Sequence, residues 1–481
     1  MAASSGPQMV ASWPEAALFT FPPPSHPLPL APAPAPVSIM RPFNMPDDVF
    51  AAALDPKVPL TIAVVYAVTV KALNMYNRSR GKQPWAVSKT RPFFAFVVLH
   101  NLFLALYSAW TFWGMLGGMR RSIVHPTAAG GLAATVDSFC RLHGPAGLGA
   151  SLYFNETSGQ WNSADPAAAA ASAMHAGSPS STQAGRIWNE GLGYYGWIFY
   201  LSKFYEVLDT FIILAKGKYS STLQTYHHAG AMMCMWAGMR YMSAPIWMFV
   251  LVNSFIHSLM YTYYTLTAFS IKVPMAVKRT LTTMQITQFL VGASYAIAHS
   301  FVTYVAPITV VRPVVDRLAA VAVPANPVAP APSGTLGALM RLFLGSATKQ
   351  VPAVAVASVQ EPTMVTETIH FSQPCIVTAG ETFAIWLNVL YLAPLTYLFV
   401  SFFIASYVKR SNAVHKMNGK AHAGESNVML AEKAGWDAAR GVEREVYGGE
   451  HMVSGSASGS CSPVGNAELT TKKANGKTRR A

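Results

Sequence analysis

The sequence predicts an all-α polytopic membrane protein of about seven transmembrane helices. Three observations carry that expectation. The apolar residues are grouped in long blocks, the mean hydropathy is +0.29, and only 12% of the 481 residues are charged. That charge content is about half of the ~25% usual in soluble domains. A helix crosses a bilayer with roughly 20 mostly apolar residues. Blocks near that length occur at 58–73, 93–115, 194–214, 226–242, 246–269, 284–308 and 383–408, the first and fourth being the shortest. Apolar stretches at 319–328 and 336–344 are broken by Pro or Gly and are not counted as spans.

Basic residues outnumber acidic ones by 35 to 21, and their placement argues for topology over nucleic acid. Arg78, Arg80, Lys82, Lys89 and Arg91 follow the first span, and Lys216 and Lys218 the third. Lys272, Lys278 and Arg279 follow the fifth, and Lys409 and Arg410 the seventh. Every second short loop is basic, as expected of cytoplasmic loops. The amino terminus is then expected outside the cytoplasm and the carboxyl tail inside. Arg120 and Arg121 weigh the other way, but they open a long loop, where charge counts less.

Outside the spans, residues 1–45 are rich in Pro, Ala and Ser and lack the basic start and compact apolar run of a cleavable signal. They are expected as a disordered extension. The membrane domain is expected over 50–410, with low-complexity insertions at 120–190 and 309–378. A polar tail, 411–481, is expected to be disordered and cytoplasmic, with one amphipathic stretch at 428–447 and a dibasic end resembling an ER-retrieval signal. Asn155-Glu156-Thr157 is a glycosylation acceptor in an expected lumenal loop. Cys140 and Cys375 fall in the two long lumenal loops, where an oxidising compartment permits a bridge. Cys234 lies in the fourth span and Cys461 in the tail.

The spans carry polar stripes. In the third, Lys203, Glu206, Asp209 and Thr210 share one face at i,i+3 and i,i+4 spacing. Three ionisable groups in one span would cost about 2.5–3.5 kcal/mol each at the bilayer centre, which makes them a functional hypothesis or a self-paired structural cluster. The fourth opens with Gln224-x-x-His227-His228, and the fifth carries Asn253, His257, Tyr261 and Tyr264. The sixth carries Thr282, Gln285 and Gln288, then Tyr295 and His299. For any single member, including His299 and His100, an interhelical hydrogen bond is the simpler reading. Four consecutive striped spans point instead to a polar chamber within a helical bundle.

Two imidazoles side by side suit a metal, a base or a nucleophile. A di-iron desaturase needs several histidine boxes, whereas His100, His227, His228, His257 and His299 alone lie at membrane depth and no His-x-x-x-His occurs. No metal is therefore expected. A transporter or channel stays open, because intramembrane charges also mark ion paths. Gly/Pro-broken half-repeats, its better signal, are missing. A Cys234 nucleophile is disfavoured by its apolar, Met-rich surroundings, which raise a thiol pKa.

Lys203-x-x-Glu206-x-x-Asp209-Thr210, Gln224-x-x-His227-His228, Asn253-x-x-x-His257-x-x-Met260-Tyr261-x-Tyr263-Tyr264 and Thr282-x-x-Gln285-x-x-Gln288 occur in that order. Together they resemble the signature blocks of the ELO family, the fatty acid elongase condensing enzymes. The likeness covers roughly 50–120 and 190–410. It implies a seven-helix protein of the endoplasmic reticulum whose spans two to seven form a barrel of two inverted three-helix units. The implied reaction joins an acyl-CoA to malonyl-CoA, giving CO2 and a 3-ketoacyl-CoA two carbons longer, with no cofactor.

By the same resemblance His227 takes the acyl group as an acyl-imidazole and His257 is its partner. His228, Glu206, Asp209, Asn253, Gln285 and Gln288 orient the imidazoles and stabilise the enolate. Gln224, Lys203, Thr210, Tyr261, Tyr264 and Thr282 complete the expected site, and Lys216, Lys218, Lys272, Lys278 and Arg279 are candidates for the CoA phosphates. Family members can also link the two lumenal loops, which favours the Cys140–Cys375 bridge. Expected partners are the bilayer, the two CoA thioesters, the reductases and dehydratase of the elongation cycle, and a second copy of the chain. Gln224 replaces the commoner histidine, and with the wording Asn253-Ser-Phe-Ile-His257 it resembles members acting on polyunsaturated chains.

Overall fold

A computed structural model describes residues 6–165, 174–175, 177–314 and 363–418, and they are mostly helical. The tail stretch 428–447, the terminal dibasic motif and Cys461 lie outside them. After a short strand β1 (Met9–Ala11) come α1 (Asp47–Ala53), α2 (Lys57–Ser79), α3 (Arg91–Ser122) and α4 (Gly131–Cys140). A hairpin of β2 (Leu152–Asn155) and β3 (Gln160–Ser163) precedes α5 (Gly193–Tyr205), α6 (Val207–Ala215) and α7 (Thr222–Arg240). A π-turn, Phe249–Asn253, leads into α8 (Ser254–Ala268), followed by α9 (Met275–His299). The strands β4 (Val302–Val314) and β5 (Thr363–Pro374) precede α10 (Ala379–Asn418).

Local chemistry sets the helix starts. The Thr90 side chain accepts from Phe93 N at the head of α3, and Ser221 accepts from Gln224 N at the head of α7. At α10 the Thr378 hydroxyl accepts from Glu381 N at 3.1 Å while Glu381 Oε2 accepts from Thr378 N at 3.2 Å. This is a reciprocal capping box.

Among the described residues three helical runs are long and apolar enough to cross a membrane: Lys57–Ser79, Arg91–Ser122 and Ile246–Ala268. Their polarity is arranged inside out. On α3 Leu99 and Leu106 are exposed while His100 and Asn101 are buried. Polar groups within a membrane face the bundle interior in this way.

The connections gather at two ends. Trp85 N donates to Ala215 O at 2.9 Å and Phe94 packs on Phe269, which brings the basic loops together. At the opposite end β1, β4 and β5 form an antiparallel sheet in that order, with Met9 opposite Tyr304 and Thr303 opposite Pro374. There Cys140 and Cys375 form a disulfide with Cα atoms 4.7 Å apart. Arg141 reinforces it by donating to Pro374 O at 2.6 Å and Cys375 O at 3.0 Å.

Three expectations are corrected. The sixth block does not stay helical to residue 308, because α9 ends at His299 and 302–314 is strand. Its Val, Ile and Thr residues suit a pleated strand, and a short apolar run does not distinguish helix from strand by periodicity. The 120–190 insertion is not wholly low-complexity: it holds α4 and the β2–β3 hairpin, whose Phe154 and Trp161 are buried ring against ring. Finally, residues 6–45 are seated on the bundle. Backbone carbonyls of Leu30, Ile39, Met40 and Phe43 accept from Trp188, Trp110, Tyr195 and Tyr194 respectively. A Pro-rich segment offers carbonyls whose own strand pairing is blocked, and the aromatic N–H and O–H groups at this end need acceptors.

Candidate active site

The site begins at the break between α5 and α6, where Glu206 stands alone between two helices. Lys203 and Glu206 are both buried, and Lys203 Nζ lies 2.7 Å from Glu206 Oε1. The same oxygen accepts from Ser202 Oγ at 3.0 Å and lies 3.6 Å from His257 Nδ1. Lys203 Nζ also donates to Asn253 Oδ1 at 3.2 Å, and Asn253 Nδ2 donates to Gln288 Oε1 at 3.4 Å. The π-turn that ends at Asn253 turns the chain into α8; such turns are frequent at functional sites. One chain of contacts thus joins Lys203, Glu206, His257, Asn253 and Gln288 across three helical segments.

Asp209 does not join that chain of contacts, although it is within electrostatic reach of His228. Its Oδ1 lies 2.7 Å from His100 Nε2 and its Oδ2 accepts from Tyr261 Oη at 2.6 Å. His100 is stacked on Tyr205 with ring centroids 5.3 Å apart. The physical reason is reach: one turn past the break, Asp209 faces α3 and α8, where buried donors need an acceptor. Thr210 bonds Tyr66 Oη of α2 at 2.8 Å.

His227 and His228 occupy the second turn of α7, with ring centroids 5.5 Å apart. His228 meets the Tyr66 ring edge-on and His227 meets Phe289. His227 is within electrostatic reach of Glu206, Lys203 and His257. Its Nδ1 is 3.0 Å from Tyr391 Oη, and Tyr391 Oη donates to the His227 carbonyl at 3.0 Å. Gly230 makes room for this: a Cβ there would lie 2.1 Å from the Tyr391 ring. Gln224 is 1% exposed, and neither amide atom has a hydrogen-bond partner among the described residues. A buried orphan amide is costly, which marks a place for a ligand or water.

Gln285 Nε2 contacts Met260 Sδ at 3.1 Å, and Thr282 and Tyr264 are half-buried, Tyr264 against Tyr261. Lys216 and Lys218 are half-buried at the end of α6, and Lys272 is exposed. The side chains of Lys278 and Arg279 lie outside the described set. Asn155 sits at the tip of the β2–β3 hairpin, its Oδ1 accepting from Thr157 N and Ser158 N. His299 lies near the disulfide sulfurs, and Cys234 Sγ contacts Leu387 O at 3.9 Å.

Four residues escaped the sequence reading. Tyr391 lies in the last helix with no local pattern to mark it. Ser202 sits just before the block. Tyr66 is in the first span. His100 reads from the sequence as a generic helix contact, yet a block with two carboxylates, Glu206 and Asp209, and one cation, Lys203, signals that a further donor lies elsewhere.

Residues 51–415 match the ELO: GNS1/SUR4 family. Fatty acid elongase 2 of Trypanosoma brucei brucei is 31% identical over 119 residues, covering 24% of this chain and 44% of that protein. Fatty acid elongase sre1 of Dictyostelium discoideum is 39% identical over 104 residues, covering 21% and 38%. Very long chain fatty acid elongase 3 of Homo sapiens is 33% identical over 109 residues, covering 23% and 40%. The chain spans about two-fifths of the length of these curated relatives. No solved structure matches it. With the family match extending over most of the chain, this protein belongs to the ELO (GNS1/SUR4) family.

Proposed function

We propose that this protein condenses a fatty acyl-CoA with malonyl-CoA to a 3-oxoacyl-CoA two carbons longer, releasing CO2 and CoA. The observation that carries the reading is the pair of bonds between His227 and Tyr391. The Tyr391 hydroxyl hydrogen goes to the His227 carbonyl, so the phenolic oxygen accepts from Nδ1–H. That fixes the neutral tautomer and leaves the Nε2 lone pair as the nucleophile.

In this mechanism Nε2 attacks the thioester carbonyl, the C–S bond breaks, and the Nδ1 proton ends on the CoA sulfur. Malonyl-CoA then loses CO2, and its enolate carbon attacks the acyl-imidazole. The C–N bond breaks, His227 is restored, and one proton is taken up per turnover. Splitting the condensation in this way replaces one hard step with two easier ones. His257, held against Glu206, and Asn253, held by Lys203, face the developing enolate. The orphan amide of Gln224 is assigned to the thioester or its leaving group.

The same reading takes the helices as seven spans, the last six forming the paired three-helix barrel, in the endoplasmic reticulum membrane with the basic loops cytoplasmic. Lys216, Lys218 and Lys272 are then near the CoA phosphates. Gln224 favours a polyunsaturated acyl chain.

The test is labelling with radioactive acyl-CoA in the absence of malonyl-CoA. Adduct should form in the native protein and in Gln224→His and be lost in His227→Ala. An adduct lost in Cys234→Ala but kept in His227→Ala would move the nucleophile to the thiol. Feeding saturated and polyunsaturated acids singly to cells expressing the chain completes the test. Absence of any two-carbon-longer product would favour a transport role.

A further inference from the structure

Two Asn-x-Ser/Thr triplets occur in the chain, Asn77-Arg78-Ser79 and Asn155-Glu156-Thr157. Such a triplet accepts an asparagine-linked glycan where its amide is accessible on the lumenal side of the membrane. The fold treats the two asparagines in opposite ways. Resting on the orientation proposed above, with the basic loops cytoplasmic, we propose that Asn155 carries an asparagine-linked glycan and Asn77 does not.

Three observations carry the assignment. The first is the state of each side-chain amide. Asn77 is 0% exposed, and its Nδ2 donates to Leu214 O at 2.8 Å and Lys218 O at 2.9 Å. Its Oδ1 accepts from Trp85 Nε1 at 2.8 Å, so both amide hydrogens and the oxygen are committed. At Asn155 the oxygen alone is engaged. Oδ1 accepts from Thr157 N at 2.9 Å and Ser158 N at 3.3 Å, an Asx turn that fixes which end of the amide is nitrogen. Nδ2 has no hydrogen-bond partner among the described residues and is available as the nucleophile.

The second is room. Gly159 N donates to Asn155 O at 2.9 Å to close the tip of the β2–β3 hairpin, and Thr157, Ser158, Gly159 and Gln160 are exposed. A Cβ on Gly159 would meet nothing within 4 Å. A bulky, hydrated glycan suits such a tip. The third is placement. Glu156 Oε1 accepts from Ala379 N at 2.9 Å, which seats the tip at the sheet end, just past the bridged Cys375. Asn77 bonds the loops at the basic end instead. The two triplets lie at opposite ends of the bundle, so one orientation exposes only one of them to the lumen.

In the modification Nδ2 attacks the anomeric carbon of an oligosaccharide carried on a lipid diphosphate. The C–N bond forms, the C–O bond to the diphosphate breaks, Nδ2 gives up one proton, and the lipid diphosphate leaves. The turn keeps its bonds throughout, because Oδ1 and not Nδ2 holds it together.

The experiment uses the full chain expressed in a eukaryotic cell and recovered in its membranes. Peptide N-glycosidase, which releases the glycan and leaves aspartate in its place, should speed the band on a denaturing gel. Peptide mass spectrometry should then find position 155 converted and Asn77 intact. The shift should be lost completely in Thr157→Ala and persist in Thr157→Ser and Ser79→Ala. Thr157→Ala keeps the backbone N–H that the turn uses, so a lost shift there is not a lost fold. A shift kept in Thr157→Ala but lost in Ser79→Ala would move the glycan to Asn77 and overturn the proposal. So would the absence of any shift in the native chain.

A second measurement separates that failure from failure of the orientation. Ser158→Cys is combined with Thr157→Ala and Cys461→Ala, the remaining cysteines being buried or bridged. Sealed microsomes then meet a membrane-impermeant maleimide. Labelling only after the membrane is permeabilised supports a lumenal tip, and beside an unshifted native chain it would reject Asn155 as acceptor while the orientation stands. Labelling of sealed microsomes would place the tip in the cytoplasm and overturn both.

Discussion

The imidazole of His227 and the phenol of Tyr391 share two hydrogen bonds of 3.0 Å, one through each partner's donor. The phenol thereby binds both the ring and the backbone of one residue from a helix 164 positions away. Tyr391→Phe would leave the His227 Nδ1–H unpaired and free the ring to change tautomer, while the His227 carbonyl keeps its backbone bond within α7. We expect adduct formation to slow by about tenfold or more, equivalent to about 1–3 kcal/mol. Single-turnover acylation measures it. An unchanged rate would remove Tyr391 from the mechanism.

Gly230→Ala should reproduce that defect without touching either bonding group. The new Cβ meets the Tyr391 ring at 2.1 Å, so the ring must move. Acylation should slow at least as much as in Tyr391→Phe, with a lower Tm from overpacking of about 1–3 kcal/mol. Adding Tyr391→Phe on top should cost little more, because the bond is already lost. Fully additive losses would show that the two residues act separately.

Lys203 and Glu206 predict an unusual pair of stabilities. Glu206→Gln leaves a buried ammonium without its counter-charge and should destabilise by about 3–5 kcal/mol. The double variant Lys203→Met with Glu206→Leu should recover most of that stability, since apolar replacement of a buried pair is often neutral. It should remain inactive. Thermal unfolding in detergent compares the three proteins, and a double variant less stable than Glu206→Gln would contradict the prediction.

Glu381 gives a pH dependence outside the spans. Burial pushes its carboxyl from an ordinary 4.5 up to about 7. The folded state therefore binds this proton more tightly than the unfolded chain. Its stabilising contribution is complete below pH 4.5 and is lost as pH rises to about 7. Because the residue is partly exposed, the amount is on the order of 1–2 kcal/mol. Glu381→Gln keeps a side chain suited to the capping box and removes the titration. Its unfolding free energy should be flatter with pH over that window; an identical profile would assign the dependence elsewhere.

The bridge between Cys140 and Cys375 joins residues 235 apart. Reduction or Cys140→Ser should lower stability by about 2–5 kcal/mol, the usual range for a native bridge. Non-reducing gels identify it directly. A mobility shift on reduction that persists in Cys140→Ser would assign it to other thiols.

The polar blocks could be read from the chain because helical spacing places Lys203 beside Glu206 and repeats the side chains of a face every three or four residues. What joins one helix to another carried no such signature. Tyr391 is one aromatic in an apolar run, and only the crossing of α10 over Gly230 gives it a task. Asp209 shows the same limit in reverse: its face was legible, but His100 and Tyr261 are set by how α3 and α8 pack. The strand at 302–314 is partly indistinguishable from helix in the sequence, because β-branched apolar residues satisfy either reading until a partner strand is known.

The N-terminal segment has a consequence for the order of assembly. Its carbonyls are received by Trp110, Trp188, Tyr194, Tyr195 and Arg240, and its strand pairs with Val302–Tyr304. During synthesis all of these receptors emerge after the segment itself. Its contacts can therefore form only in stages, first to Trp110, then to Trp188, Tyr194, Tyr195 and Arg240, and last to the strand at Val302–Tyr304. A segment that precedes every span is thus held in place only by groups that follow it in the chain, and its seat is complete only when the strand at Val302–Tyr304 has formed.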